Sequence, residues 1–260
     1  MANEATASID HAELLAKVQE MYRAVAETPE RQFHFETGRA LAERLGYLPD
    51  ELDAIPAEAI ESFAGVGYFF DLAGLQPGES VLDLGSGSGM DAFIAALRVG
   101  DSGHVVGVDM TEQQLHKANR LREEHGLSQT SFRFGHIEQL DLEDGSFDVV
   151  ISNGVINLAP DKDQVFREAA RTLRPGGRLA MADIVTEVPL TEAIVSDVDL
   201  WASCIGGAPE QQAYQDAMAR AGLHVELMKA NTYEFLSEQA RGASDRYGVK
   251  SVSVLAVKKA

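Results

Sequence analysis

The spacing of apolar residues changes once along the chain, near residue 80. Before that point the spacing is helical. From Ser8 to Ala26 the residues Ile9, Leu14, Leu15, Val18, Met21, Tyr22 and Val25 fall on one stripe, with Ser8 placed as an N-cap and Pro29 beyond the end. A second helix is expected over about Glu36–Leu45, stopped by Gly46, and shorter helical pieces follow, divided by Pro49 and Pro56. From Ser80 onward short apolar runs alternate with amphipathic ones. VLDL, HVVGVD, TSFRFG, FDVVIS and RLAMADIV read as strands, and DAFIAALRV, TEQQLHKANRLREEHG and DKDQVFREAARTL as the helices between them. Thr111 caps the second of these helices, Gly126 lies just past its end, and Pro175 with Gly176–Gly177 stops the third. After Pro189 come a helical stretch, LTEAIVSDVDLWASCIGG, a helix over about Glu210–Ala221, and two alternating runs, HVELMKANTY and KSVSVLAVKK.

Strands that alternate with helices pair in parallel through right-handed crossovers. The expectation is an α/β fold with a doubly wound, Rossmann-like, mostly parallel seven-stranded sheet. Residues 1–71 form an N-terminal helical extension or lid, 72–260 the main domain, and 186–222 a helical insertion capping the acceptor site.

With 45% apolar residues, the chain of 260 can bury a sizeable core. The formal charge of −19 repels phosphate backbones and anionic lipid heads, so neither nucleic acid nor a membrane is an expected partner. Most basic residues are arginine, and an acidic, lysine-poor surface suits a salt-rich habitat. The single cysteine, Cys204, excludes an intrachain disulfide and a cysteine-based zinc site, and no metal ligand set is expected. MANEATASID lacks a basic and an apolar region of the signal-peptide kind, and no apolar run is long enough for a bilayer, so a cytoplasmic protein is expected. No heptad or apolar patch reveals an oligomeric state.

The stretch VLDLGSGSG carries the chemistry. Ligands of such sheets bind outside the carboxyl ends of the strands, where the strand order reverses. Glycines at 85, 87 and 89 let backbone approach a ligand closely, a pattern shared with dinucleotide-binding proteins. Asp83 separates the two. A carboxylate inside the first strand repels a pyrophosphate and attracts an ammonium, so the ligand reads as a nucleoside with an amino-acid end. Asp109, twenty residues past Gly89, stands where a carboxylate grips ribose hydroxyls.

In order, VLDLGSGSG, GVDMT, FRFGHIEQL, FDVVISNGVINL and LRPGGRL resemble the motifs of class I S-adenosylmethionine (SAM)-dependent methyltransferases, over roughly Leu72–Val185. That resemblance implies SAM as cofactor and a small-molecule methyl acceptor as partner. It places Asp83, Gly85, Ser86 and Gly87 at the methionine part, Asp109 at the ribose and Met110 on the adenine. Ile137 and Glu138 flank the adenine and its amino group, His136 shares their loop, and Asn153, Gly154 and Val155 line the cofactor beside the acceptor. SNGVINLAPDKDQVFREAARTLRPGGRLAMADIV and DLWASCIGG further resemble the arsenite methyltransferase family, with Cys204 at a cysteine position of that family.

The chain departs from that family in its thiols. Trivalent arsenic takes several thiolates, yet Ala64 and Val66 stand in SFAGVG, and Gly154 stands where the family often has cysteine. An organic acceptor is therefore expected. The alternatives are arsenite methylation with external thiols and a SAM-binding protein without turnover. Asn157 and Asp183, at strand ends, are the candidates near the reacting methyl, Asp183 as a base. Tyr22, Tyr68, Phe69, Trp201 and Cys204 are candidates for the acceptor walls.

Overall fold

The computed structural model describes residues 11–195, 201, 205–236 and 238–259. Seven strands are ordered β3-β2-β1-β4-β5-β7-β6. They are β1 (Ser80–Leu84), β2 (His104–Asp109), β3 (Thr130–Phe134), β4 (Phe147–Asn153), β5 (Leu173–Val185), β6 (Leu223–Ala230) and β7 (Lys250–Lys258). The first five pair in parallel, and β7 is antiparallel to both β5 and β6. The chain starts in the middle of the sheet and winds outward twice, so the order reverses between β1 and β4. The carboxyl ends of these two strands flank the crevice.

Eleven helices are described: α1 (His11–Glu27), α2 (Arg39–Leu45), α3 (Pro49–Asp53), α4 (Ala57–Glu61), α5 (Phe70–Ala73), α6 (Met90–Val99), α7 (Glu112–Glu124), α8 (Lys162–Thr172), α9 (Glu192–Val195), α10 (Gln211–Arg220) and α11 (Glu238–Tyr247). They cover the sheet in two layers. Because side chains alternate across a strand, Val81 joins Phe93 of α6 and Leu115 of α7 on one face, while Leu82 and Leu84 join Phe166 of α8 and Met218 of α10 on the other. Asp83 follows Val81 onto the α6 face. Tyr47, Ile60 and Phe70 share that core, so the segment between α2 and α5 is built into the domain rather than hung from it. Helix α1 lies elsewhere: Leu14 and Val18 pack with Leu158 and Trp201, against Met110, above the strand ends.

Two features differ from the sequence reading. Strand β5 begins at Leu173, through Pro175 and the glycine pair, because Phe147 pairs with Leu173 before a register shift to Val149–Arg178. Proline is tolerated at such a bulge. Helix α11 was not expected; its inner face is Ala240, Ala243 and Tyr247, too small an apolar stripe to stand out in a polar run. Of the stretch LTEAIVSDVDLWASCIGG, residues 190–195, 201 and 205–207 are described. Ser8, Ile9 and Cys204 lie outside the described residues.

Candidate functional site

A cavity of about 970 Å³, mouth included, opens at the carboxyl ends of β1, β2 and β4. Its floor is the loop after β1. Gly85, Gly87 and Gly89 all have positive φ, at 72°, 52° and 93°. A side chain at Gly85 would strike Val155, whose methyl groups lie 2.5 Å from where its Cβ would be. These glycines are needed both for their backbone angles and for this close approach.

Asp83 is 2% exposed, and its Oδ2 has no hydrogen-bond partner; Ser86 Oγ beside it is likewise unsatisfied. Burial holds the Asp83 carboxyl well above its ordinary titration range, and the charges of Asp91 and Asp109 add to that. Asp109 is better served. Its Oδ2 accepts from Gly87 N at 2.9 Å and its Oδ1 from Thr111 N at 2.8 Å, which offset part of the upward push of burial. Met110, Ile137, Glu138, Asn153 and Val155 also line the cavity. Tyr22 lines it from α1, and α1 is tied down by Gln19, whose Nε2 donates to Met110 O at 3.1 Å.

Asn153 is a junction. Its Oδ1 accepts from Val66 N at 2.8 Å and Gly67 N at 3.3 Å. Its Nδ2 donates to Gly67 O, to Tyr47 Oη at 2.9 Å and to Asp91 Oδ2 at 3.1 Å. Tyr47 Oη in turn donates to Asp91 Oδ1 at 2.6 Å. The 62–65 segment thereby becomes a cavity wall. Asp91 and Tyr47 were not singled out in the sequence. An acid in a helix's first turn normally reads as a partner of the helix dipole, and nothing local links Tyr47 to a residue 44 positions away.

Other expected site residues lie off the cavity. His136 makes a bridge with Gln139 and an edge contact with Phe134. Gly154 donates its N–H to Ala182 O at 2.8 Å and is shielded by Val66. Tyr68 and Phe69 turn into the aromatic core with Tyr47 and Phe70, and the Tyr68 hydroxyl meets Arg98. Trp201 backs the wall from behind, donating to Leu158 O at 3.2 Å beneath Lys162. Asp183 is 1% exposed on β5 and accepts from Tyr214 Oη at 2.6 Å, Asn157 N at 2.9 Å and Ile184 N at 2.8 Å. Neither Asp183 nor Asn157 lines the cavity, and none of the described residues of 186–222 does. Three structural donors hold the Asp183 carboxylate away from the residues that line the cavity. Among the described residues, no group of three or more His, Cys, Asp or Glu side chains could hold a metal ion.

Residues 75–222 match a family model described as a methyltransferase domain. The chain is 40% identical over 205 residues to an arsenite methyltransferase of Halobacterium salinarum, covering 78% of this chain and 52% of that protein. It is 35% identical over 158 residues to a nocamycin O-methyltransferase of Saccharothrix syringae, covering 60% of this chain and 56% of that one. Among solved structures, an arsenic(III) SAM methyltransferase of Chlamydomonas reinhardtii aligns with a TM-score of 0.65 at 33% identity, covering 86% of this chain and 74% of that one. A geranyl diphosphate methyltransferase in complex with GPP and sinefungin gives the same TM-score at 19% identity, a likeness of fold alone. The chain belongs to the class I SAM-dependent methyltransferases. Within that class it stands close to the arsenite methyltransferases, although it spans about half the length of the curated relatives it matches.

SAM is the methyl donor of this family, and the cavity fits it. The unsatisfied Asp83 Oδ2 and Ser86 Oγ are buried polar atoms awaiting partners. The open backbone above Gly87, with only the Gln114 side chain near its missing Cβ, leaves room for a ligand. Among the described residues, no helix is long and apolar enough to cross a membrane.

Proposed function

We propose that the chain transfers a methyl group from SAM to a small organic acceptor. Bound SAM supplies an electrophilic methyl carbon on a sulfonium. The chain's residues hold and orient it: Asp83 takes the ammonium, Asp109 the ribose hydroxyls, and Met110 and Ile137 the adenine faces, with Glu138 near its amino group. Val155 and Asn153 close the side toward the acceptor. Helix α1, carrying Leu15, Val18 and Tyr22, covers the cavity as a lid that excludes water.

The observation that carries the acceptor class is the apolar part of the cavity lining. Leu15, Val18, Phe63, Ala64, Leu158 and Ala159 line it, and among the described residues no lysine, arginine or histidine does. SFAGVG resembles a family segment that carries a cysteine, and Ala64 and Val66 stand there instead, so this segment brings no thiol to the wall. Such a lining favours a neutral or cationic acceptor with a large apolar body. The rate then comes mainly from holding its lone pair in line with the methyl in a dry pocket. An acceptor with a free lone pair requires no base from the apolar wall.

The test is methyl transfer from radiolabelled SAM, with arsenite plus glutathione and pools of small organic compounds as acceptors and products identified by mass. Labelled organic product, undiminished in Cys204→Ser, is the expected result. Methylated arsenic as the sole product, lost in that variant while SAM affinity is normal, would establish metalloid transfer instead.

A further inference from the structure

Asp91 presents a charge problem that its role in the fold does not solve. It stands in the first turn of α6, yet both of its oxygens accept from side chains of distant elements. Both turn toward the strand ends, one to Tyr47 Oη and the other to Asn153 Nδ2. These are neutral donors. The residue is 7% exposed and lines the same cavity as Asp83, whose Oδ2 is buried without a partner. The two carboxylates lie close enough that the charge of Asp91 raises the titration of Asp83. Asp109 and Glu138 bring the carboxylates in the lining to four, and no lining residue among those described is cationic. Nearby ammonium groups stand behind the wall: Lys117 against Ser62 Oγ at 2.8 Å, and Lys162 against Ala159 O at 2.9 Å.

Burying two neighbouring carboxylates without a cation is costly, and a ligand with positive charge removes the cost. SAM carries two positive groups, the ammonium and the sulfonium, against one carboxylate, for a net charge of +1. S-adenosylhomocysteine (SAH), which remains after transfer, has lost the sulfonium charge and is neutral. Asp83 alone meets the ammonium that both compounds share. Asp91, held against Asn153 in the same lining, is a further buried anion available to the charge that differs between them.

We propose that Asp91, held in place by Tyr47 and Asn153, is a specificity-determining residue that makes the cavity select its ligand by charge, taking SAM in preference to SAH. Product release is thereby helped by the reaction itself, since methyl transfer removes the charge that Asp91 favours. This inference rests on the SAM-binding reading of the cavity.

The experiment is calorimetric titration of the full chain with SAM, SAH and sinefungin, which replaces the sulfonium with an amine that is cationic at neutral pH. The wild-type protein is expected to bind SAM and sinefungin about tenfold more tightly than SAH, roughly the step of one decade of affinity. Asp91→Asn should weaken both cationic ligands by about tenfold and leave SAH within about threefold, closing the gap. SAH then serves as an internal control for an intact site. Equal weakening of all three in Asp91→Asn would overturn the proposal. So would a wild-type protein that binds SAH as tightly as SAM, a measurement that needs no variant. Absence of binding by all three ligands to the wild type would instead overturn the cofactor assignment on which the proposal stands.

Discussion

Asp83 and Asp183 are both buried aspartates near the carboxyl ends of core strands, one on β1 and the other on β5, at 2% and 1% exposure. Their surroundings are opposite. Asp183 accepts three hydrogen bonds, from a tyrosine hydroxyl and two backbone N–H groups, and does not line the cavity described above. Asp83 lines a cavity and leaves an oxygen unsatisfied. Burial alone therefore does not separate an acid that serves a ligand from one that serves the fold. Hydrogen bonding and placement distinguish the two: three structural donors hold Asp183 outside the cavity lining, while Asp83 in the lining keeps a buried oxygen without a donor.

The contrast can be broken most forcefully by Asp83→Asn. Cofactor affinity should fall by at least about a hundredfold, since a charged partner in a poorly solvated site is lost. The ligand-free protein should unfold at the same temperature or higher, because a buried charge without compensation has been removed. Calorimetric titration and thermal melting check the two halves, and a lower melting temperature with unchanged affinity would reverse the roles assigned to the two aspartates. Next in size is Asp183→Ala, which leaves Tyr214 Oη and the Asn157 N–H without their acceptor. It should cost on the order of 3 kcal/mol in urea unfolding.

A smaller effect appears with pH. Burial raises the Asp91 and Asp183 carboxyls from the ordinary 3.8 to about 6. The folded protein then holds these protons more tightly than the unfolded chain. The contribution of each group to stability is greatest in acid, declines as pH rises from 3.8 to about 6, and is flat above. Asp91→Asn should accordingly gain on the wild type as pH climbs through that window, measured by urea midpoints at several pH values. A gap that stays constant would show that Asp91 titrates normally. Smallest is Tyr214→Phe, which removes one of the three donors to Asp183 and should cost about 1–2 kcal/mol. Its affinity for SAM should not change, because Tyr214 lies on the α8–α10 side of the sheet, away from the cavity.

What could be read directly from the chain follows the range of the interactions. The seven strands, their mostly parallel order and the loop at Gly85–Gly89 depend on local apolar runs and on glycine's backbone freedom, so they were legible. Asp109 was legible too, because its spacing from the loop is set by one helix and one strand. Phe69 and Tyr68 show the limit: in a linear reading aromatic residues next to the first strand are equally suited to core and pocket, and packing against Tyr47 and Phe70 decides for the core. For Asp183 the place at a strand end is visible in the chain, whereas its bond to Tyr214, 31 residues on, is not. Asp91 and Tyr47 were missed for the same reason, and helix α11 because alanines mark its buried face.

The reach of Asn153 also bears on how the molecule comes into being. Its side chain joins backbone groups 86 and 87 residues earlier and a phenol 106 residues earlier. Contacts that distant form late, after the intervening loops have been closed. During synthesis the segment from Tyr47 to Gly67 must therefore wait, without its anchor, until β4 has left the ribosome and paired with β1. The 62–65 wall of the cavity is thus among the last parts of the domain to be finished, although its residues are made before any strand of the sheet.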